Sequence, residues 1–228
     1  MGTSVEFPSN GGADQGWLAV PASGKGPGVI VIQEWWGLVA HIKDVCERFA
    51  QAGFTALAPD LYHGTTVQEP DAATKAMMAL NIQQVGKDMS GAVDYLRSLE
   101  SVSGSGIGVV GFCMGGGLAL LLAQQRPDAI RAAAPFYGVG PALGDVHGWM
   151  AVNAAFQGHY AEHDDSAGPG AARQLEAELH QAGKEAQFFV YPGTHHAFFN
   201  DTRPEVYDAG AAHLAWERTV SFFREKLA

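Results

Sequence analysis

An α/β fold, with a mostly parallel sheet covered by helices on both faces, is predicted by three observations. Short apolar runs of strand length alternate along the chain with longer segments whose apolar residues recur every three or four positions. The strand-like runs, such as Val29-Ile-Val-Ile32 and Ile107-Gly-Val-Val110, carry almost no polar residues, as befits strands buried on both faces. The chain has 228 residues, 47% of them hydrophobic, which suffices for one sizeable core, so a single domain over residues 1–228 is expected.

In chain order, Trp17 to Val20 and Val29 to Gln33 read as two strands joined by the turn-rich loop Pro21 to Gly28. His41 to Ala52 has apolar residues at Ile42, Val45, Phe49 and Ala52 and ends at Gly53, a helix with its stop signal. Thr55 to Ala58 is the next strand, closed by Pro59. Asp60 to Ala79 has weak periodicity and reads as a cap over a site. Ile82, Val85, Met89, Val93, Leu96 and Leu99 mark an amphipathic helix, which leads through Ser101 to Ser105 into a strand at Ile107. A helix over Gly115 to Gln125 follows, then strands at Arg131 to Tyr137 and Ala154 to His159. Ala172 to Ala182 is a helix stopped by Gly183, Gln187 to Tyr191 a strand, and Trp216 to Leu227 the last helix. The glycine-rich loop from Gly138 to Gly148 is too short to separate domains.

A net charge of −10 argues against nucleic acid or an anionic membrane surface as partner, since phosphates need clustered Lys and Arg. Cys46 and Cys113 are the only two cysteines, too few for a disulfide scaffold and suited to a reducing compartment. The polar N-terminus has no secretory pattern, and no stretch is long and apolar enough to span a bilayer. A cytoplasmic monomer acting on a small molecule is expected.

The chemistry centres on Gly111-Phe-Cys-Met-Gly115, a strand, a sharp turn and a helix start. This is the outline of a nucleophile elbow with a thiol in place of the hydroxyl, and it puts the thiol at a helix N-terminus, which favours a thiolate. By itself the segment reads equally well as a buried structural cysteine. In such a sheet the C-terminal strand ends carry the ligand site, which selects Glu34, Trp35, Asp60, Cys113, Tyr137, Glu162 to Asp165 and His195-His196. The order nucleophile, acid, histidine is that of the α/β-hydrolases, and Cys113, Asp164 and His196 satisfy it. Imidazole is the base that makes a thiolate near neutral pH, and a carboxylate fixes its tautomer. Backbone N–H groups of Trp35 and Met114 are the candidate oxyanion donors. Glu34, at a strand end beside Trp35 and Trp36, reads either as a surface glutamate or as a charge near the thiol that opposes its ionisation. Trp35, Trp36, Tyr137, Phe198 and Phe199 would form an aromatic pocket. No ligand set with a recognisable metal spacing emerges from His159, His163, Asp164 and the two adjacent histidines, so no metal or cofactor is expected.

With Gln33-Glu-Trp-Trp-Gly37, Pro59-Asp-Leu-Tyr62, Gly111-Phe-Cys-Met-Gly-Gly116, Phe136-Tyr-Gly-Val-Gly140, Gly158-His-Tyr-Ala-Glu-His-Asp164 and Tyr191-Pro-Gly-Thr-His-His-Ala-Phe198, the chain resembles the dienelactone hydrolase family from about Trp17 onward. The resemblance implies an α/β-hydrolase fold and hydrolysis of small carboxylic esters or lactones through a thioester on Cys113. It implies Asp164 rather than Asp165 and His196 rather than His195 as partners, and Glu34 as the carboxylate paired with the resting thiol. One departure stands out. The family's dienelactone hydrolases proper hold the substrate carboxylate with two arginines, whereas here one position is Asn200 and the segment from Asp60 to Leu96 has no arginine. Lys75 and Arg203 are the candidate substitutes, although a planar fork and a point charge are not interchangeable. A ligand-binding or thiol-sensing protein without turnover is the alternative on the same fold.

Overall fold

A computed structural model describes residues 1–140 and 146–228. Its strands are β1 (Thr3–Ser9), β2 (Gly12–Ala19), β3 (Gly26–Ile32), β4 (Thr55–Pro59), β5 (Val102–Phe112), β6 (Ile130–Phe136), β7 (Ala155–His163) and β8 (Ala186–His195). Its helices are α1 (Ala40–Gln51), α2 (Pro70–Ala79), α3 (Ile82–Ser98), α4 (Met114–Gln125), α5 (Val146–Met150), α6 (Pro169–Gln181) and α7 (Ala209–Lys226). The strands form one sheet in the order β1-β2-β4-β3-β5-β6-β7-β8. Only β2 runs against its neighbours β1 and β4, and the pairs from β4 across to β8 are parallel.

The apolar strand runs divide by parity between two cores. Val29, Val31, Val110, Phe112, Ala134 and Phe136 pack with α1 and α7 on one face. Ile30, Ile32, Ile107, Val109 and Ala133 pack with α3, α4 and α6 on the other. A strand buried on both faces needs no polar alternation, which is why these runs show none.

The strands expected at residues 17–20 and 29–33 are both present, with β4 lying between β2 and β3 in the sheet. An unexpected strand, β1, pairs with β2 through a two-residue turn at Asn10-Gly11, whose φ angles of 49° and 80° are both left-handed. Asn-Gly is the preferred pair for such a turn, so the signal was present in a stretch otherwise read as polar. The elbow strand also begins earlier than expected, at Val102, with a register shift against β3 between Pro27 and Gly28. The loop expected from Gly138 to Gly148 lies partly outside the described residues.

The register sets the site. Ile32 pairs with Gly111, Phe112 with Phe136, Phe136 with His159, and His163 with His195. The next residues along each strand therefore emerge at one end of the sheet, and these are Glu34, Cys113, Tyr137, Asp164 and His196. At the centre, Cys113 adopts φ 57° and ψ −118° between β5 and α4. A side chain on Gly111 would put its Cβ 1.9 Å from the Gly115 carbonyl oxygen, and one on Gly115 would meet the Gln33 oxygen at 2.4 Å. Both obstacles are backbone and cannot rotate away. Gly111→Ala should therefore lower the unfolding free energy by about 3 kcal/mol or more, measured by urea denaturation. A variant as stable as the parent would show that strand and helix can part here freely.

Candidate active site

His196 Nδ1 lies 2.7 Å from Asp164 Oδ2. The other oxygen of Asp164 accepts the backbone N–H groups of Ser166 at 2.8 Å and Ala167 at 2.9 Å. Burial, the largest influence on Asp164, pushes its carboxyl up, but the His196 hydrogen bond and these two N–H groups together hold it below the usual carboxylate range. Burial likewise opposes charge on His196. Its bond to Asp164 and the neighbouring Cys113 sulfur outweigh that, and the imidazole is pushed up to about 10. Asp165 and His195 are exposed, and the His195 ring packs on His163 with centroids 5.3 Å apart. The geometry thus joins Asp164 to His196 and brings Cys113 to the same imidazole.

Three non-glycine residues with left-handed φ meet here: Cys113 at 57°, Tyr137 at 38° and Ala197 at 68°. Strain of this kind collects where a fold must aim a side chain against the preference of its backbone. Ala197 aims two. It leaves His196 facing the cavity and turns the next residue inward. Phe198, expected to line the pocket, is wholly buried against Tyr137 and Tyr191. Phe199 is equally buried, stacked on Phe112.

The cavity above the thiol is about 320 Å³ and is lined by Glu34, Trp35, Trp36, Met77, Cys113, Met114, Tyr137, Gly138, Val139, Gly140, Ser166, Ala167, His196, Ala197 and Arg203. This is the size of a small-ligand site, apolar with a few convergent polar groups. Met77 comes from α2, in the segment expected to act as a cap. Lys75, on the same helix, is exposed and does not line the cavity. Arg203 does line it, with its guanidinium 5.7 Å from the Trp36 ring centroid and bound to Glu205. Met114 opens α4, so its N–H is one of those a helix leaves without an intrahelical acceptor. Trp35 sits in the turn after β3, which the Gly37 N–H to Glu34 carbonyl bond closes.

Glu34 is 1% exposed. Its Oε1 accepts the Tyr137 hydroxyl at 3.4 Å and its Oε2 accepts the Asn200 side-chain amide at 2.7 Å. The resting hydrogen-bond partners of this carboxylate are thus Tyr137 and Asn200, where a pairing with the thiol was expected. Asn200 is itself buried and fixed, its Oδ1 accepting the N–H and hydroxyl of Thr202. Sequence reasoning noted Asn200 only as a missing arginine; nothing local to it signals that it anchors a residue so far back in the chain. His159, considered as a metal ligand, is a core residue. Its ring nitrogens are engaged by Tyr191 at 2.8 Å and Thr219 at 3.0 Å, and burial pushes it down to about 3.

A model of the dienelactone hydrolase family matches residues 15–227. The chain belongs to the dienelactone hydrolase family. Relatives of this hydrolase include "Protein usf" of Aquifex pyrophilus, 39% identical, and a "Putative carboxymethylenebutenolidase" of Aquifex aeolicus, 34% identical, each match covering 100% of both chains. Among solved structures, a dienelactone hydrolase-like promiscuous phosphotriesterase from metagenomic libraries superposes with a TM-score of 0.85 at 21% identity, covering 100% of this chain and 99% of its own. That likeness speaks for the α/β-hydrolase fold alone. No helix among the described residues is long and apolar enough to cross a membrane.

The raised proton affinity of His196 has two named sources, so it can be dissected. In Cys113→Ala the imidazole should titrate below about 10, because the sulfur that favours the imidazolium is gone. In Cys113→Ala/Asp164→Asn only burial remains, and His196 should titrate below 6.5. Histidine NMR titration checks both, and an unmoved midpoint would mean that other groups hold the proton.

Proposed function

We propose that the chain hydrolyses small, neutral carboxylic esters or lactones, with Cys113 as nucleophile, His196 as general base and acid, and Asp164 holding the imidazole. The observation that carries this reading is the convergence of a strained elbow thiol and a carboxylate-bound imidazole on one cavity of about 320 Å³. His196, the stronger base of the pair, holds the thiol proton as an imidazolium, and the sulfur attacks the ester carbonyl. The negative charge on oxygen is received by the N–H groups of Met114 and Trp35, two residues of the cavity wall. When the carbonyl re-forms, the C–O bond breaks and His196 returns the proton to the departing alkoxide. A thioester remains on Cys113. Water, losing a proton to His196, then attacks it; the acid leaves and the thiol regains that proton.

Charge on the wall supports a neutral substrate. Glu34 brings one negative charge to it, and the positive charge of Arg203 is already shared with Glu205. An anionic substrate would meet Glu34 without the two arginines that dienelactone hydrolases proper use. Trp36 and Tyr137 offer apolar surface for the acyl group, with Arg203 at the rim. Tyr137 and Asn200 hold the Glu34 side chain in place.

Cys113→Ala should lower kcat for a chromogenic short-chain ester by at least about 10³-fold while leaving the unfolding transition in place. Mass spectrometry of quenched wild type should find the acyl group on Cys113. Undiminished turnover in the variant would overturn the reading. A single stoichiometric burst without turnover would favour the thiol-sensing alternative.

A further inference from the structure

We propose that Asp14, His63 and Asp88 form a binding site for a divalent transition-metal ion, away from the thiol, that clamps the loop after β4 to β2 and α3. Asp14 lies on β2, Asp88 on α3, and His63 between β4 and α2. One donor atom from each lies within 4.8 Å of the other two.

Both carboxylates are almost completely buried, with side-chain exposures of 3% for Asp14 and 2% for Asp88. Each is anchored through one oxygen only. Asp14 Oδ1 accepts the Gln15 N–H at 2.7 Å, and Asp88 Oδ1 accepts Ser9 Oγ and Gln84 Nε2, each at 3.0 Å. The remaining oxygens, Asp14 Oδ2 and Asp88 Oδ2, are buried with no hydrogen bond. A buried carboxylate oxygen left without a donor is costly, and two in one place more so.

The neighbouring cationic candidate is His63, but its ring nitrogens stand 3.4 Å from Asp14 Oδ1 and 3.6 Å from Asp88 Oδ2. Charge-assisted hydrogen bonds are closer, about 2.7–2.9 Å. An imidazole gives one ion a single ring nitrogen, and the three donor atoms, one from each residue, already lie within 4.8 Å of one another, so an ion held at bonds of about 2.0–2.2 Å would draw them in only slightly. One imidazole and two carboxylates suit Zn²⁺ or Mn²⁺ better than Mg²⁺ or Ca²⁺, which take oxygen ligands. His63 is 55% exposed, so the ion can enter from solvent and complete its coordination with water.

The site would matter to the protein through its loop. Tyr62, next to His63, places its hydroxyl 3.8 Å from the Met114 sulfur beside the thiol. An ion at His63 would thus brace the wall on which Met114 sits, without touching the reacting atoms.

Wild type, stripped with a chelator and then freed of it, should bind one equivalent of Zn²⁺ more than His63→Asn or Asp88→Asn does, measured by elemental analysis after gel filtration. Asparagine is chosen at His63 because it tolerates the left-handed φ of 49° there. Zinc taken up at Cys113 is common to all three proteins and cancels. Saturating Zn²⁺ or Mn²⁺ should raise the wild-type Tm by about 5–10 °C, Mg²⁺ should raise it far less, and His63→Asn should lose the response. His63 is exposed, so that variant keeps its fold even if Asp88→Asn does not. Equal metal uptake by wild type and His63→Asn, or a wild-type Tm indifferent to both ions, would overturn the site.

Discussion

The backbone contact between β5 and the start of α4 is the constraint on which the site rests. Gly111 lies so close to the Gly115 carbonyl that a methyl group cannot fit, and Gly115 lies too close to the backbone at the end of β3 to carry one. This lets the strand turn into the helix within one residue, and that residue is Cys113. Its left-handed φ is strain the fold must hold. What holds it is the two-sided core, with β5 central in the sheet and α4 packed across β5 and β6. In return the thiol stands at a helix N-terminus, the positive end of the helix dipole.

The other groups reach the thiol because parallel strands end together. Five strand ends deliver Glu34, Cys113, Tyr137, Asp164 and His196 to one edge. Their neighbours then decide what each can do. Two backbone N–H groups and an imidazole keep Asp164 charged despite its burial. That charge, with the nearby sulfur, keeps His196 a strong base despite its own. Glu34 is held by an amide and a hydroxyl, partners that fix its position.

Much of the architecture could be read from the residues, because a strand buried on both faces and a helix buried on one leave unlike patterns. The apolar runs at Val29 and Ile107 and the three-or-four spacing from Ile82 to Leu96 placed the central elements. β1 was missed because, at the sheet margin, only Phe7 and Ser9 of it are fully buried, so it carries little apolar signal. The insertion of β4 between β2 and β3 is a matter of long-range pairing that local pattern does not encode. At the site, residue types and their order pointed to Cys113, Asp164 and His196, since that chemistry uses few residue types. The partners of Glu34 could not be read, because an amide that anchors a carboxylate across the fold looks like any other asparagine. Phe198 misled for a related reason. It follows His196 closely, but a single left-handed residue at Ala197 sends its ring the other way.

The assembly of the site also bears on how the protein would fail. The thiol belongs to the centre of the sheet, whereas Asp164 and His196 follow β7 and β8, and β8 forms the sheet's outer edge, with only Tyr191 and Thr194 of it fully buried. Edges open locally at less free energy than centres do. Warming or mild denaturant would therefore part the imidazole from the sulfur while both cores were still packed. Turnover would fade before any spectroscopic sign of unfolding, making the enzyme's own activity the most sensitive gauge of its margin.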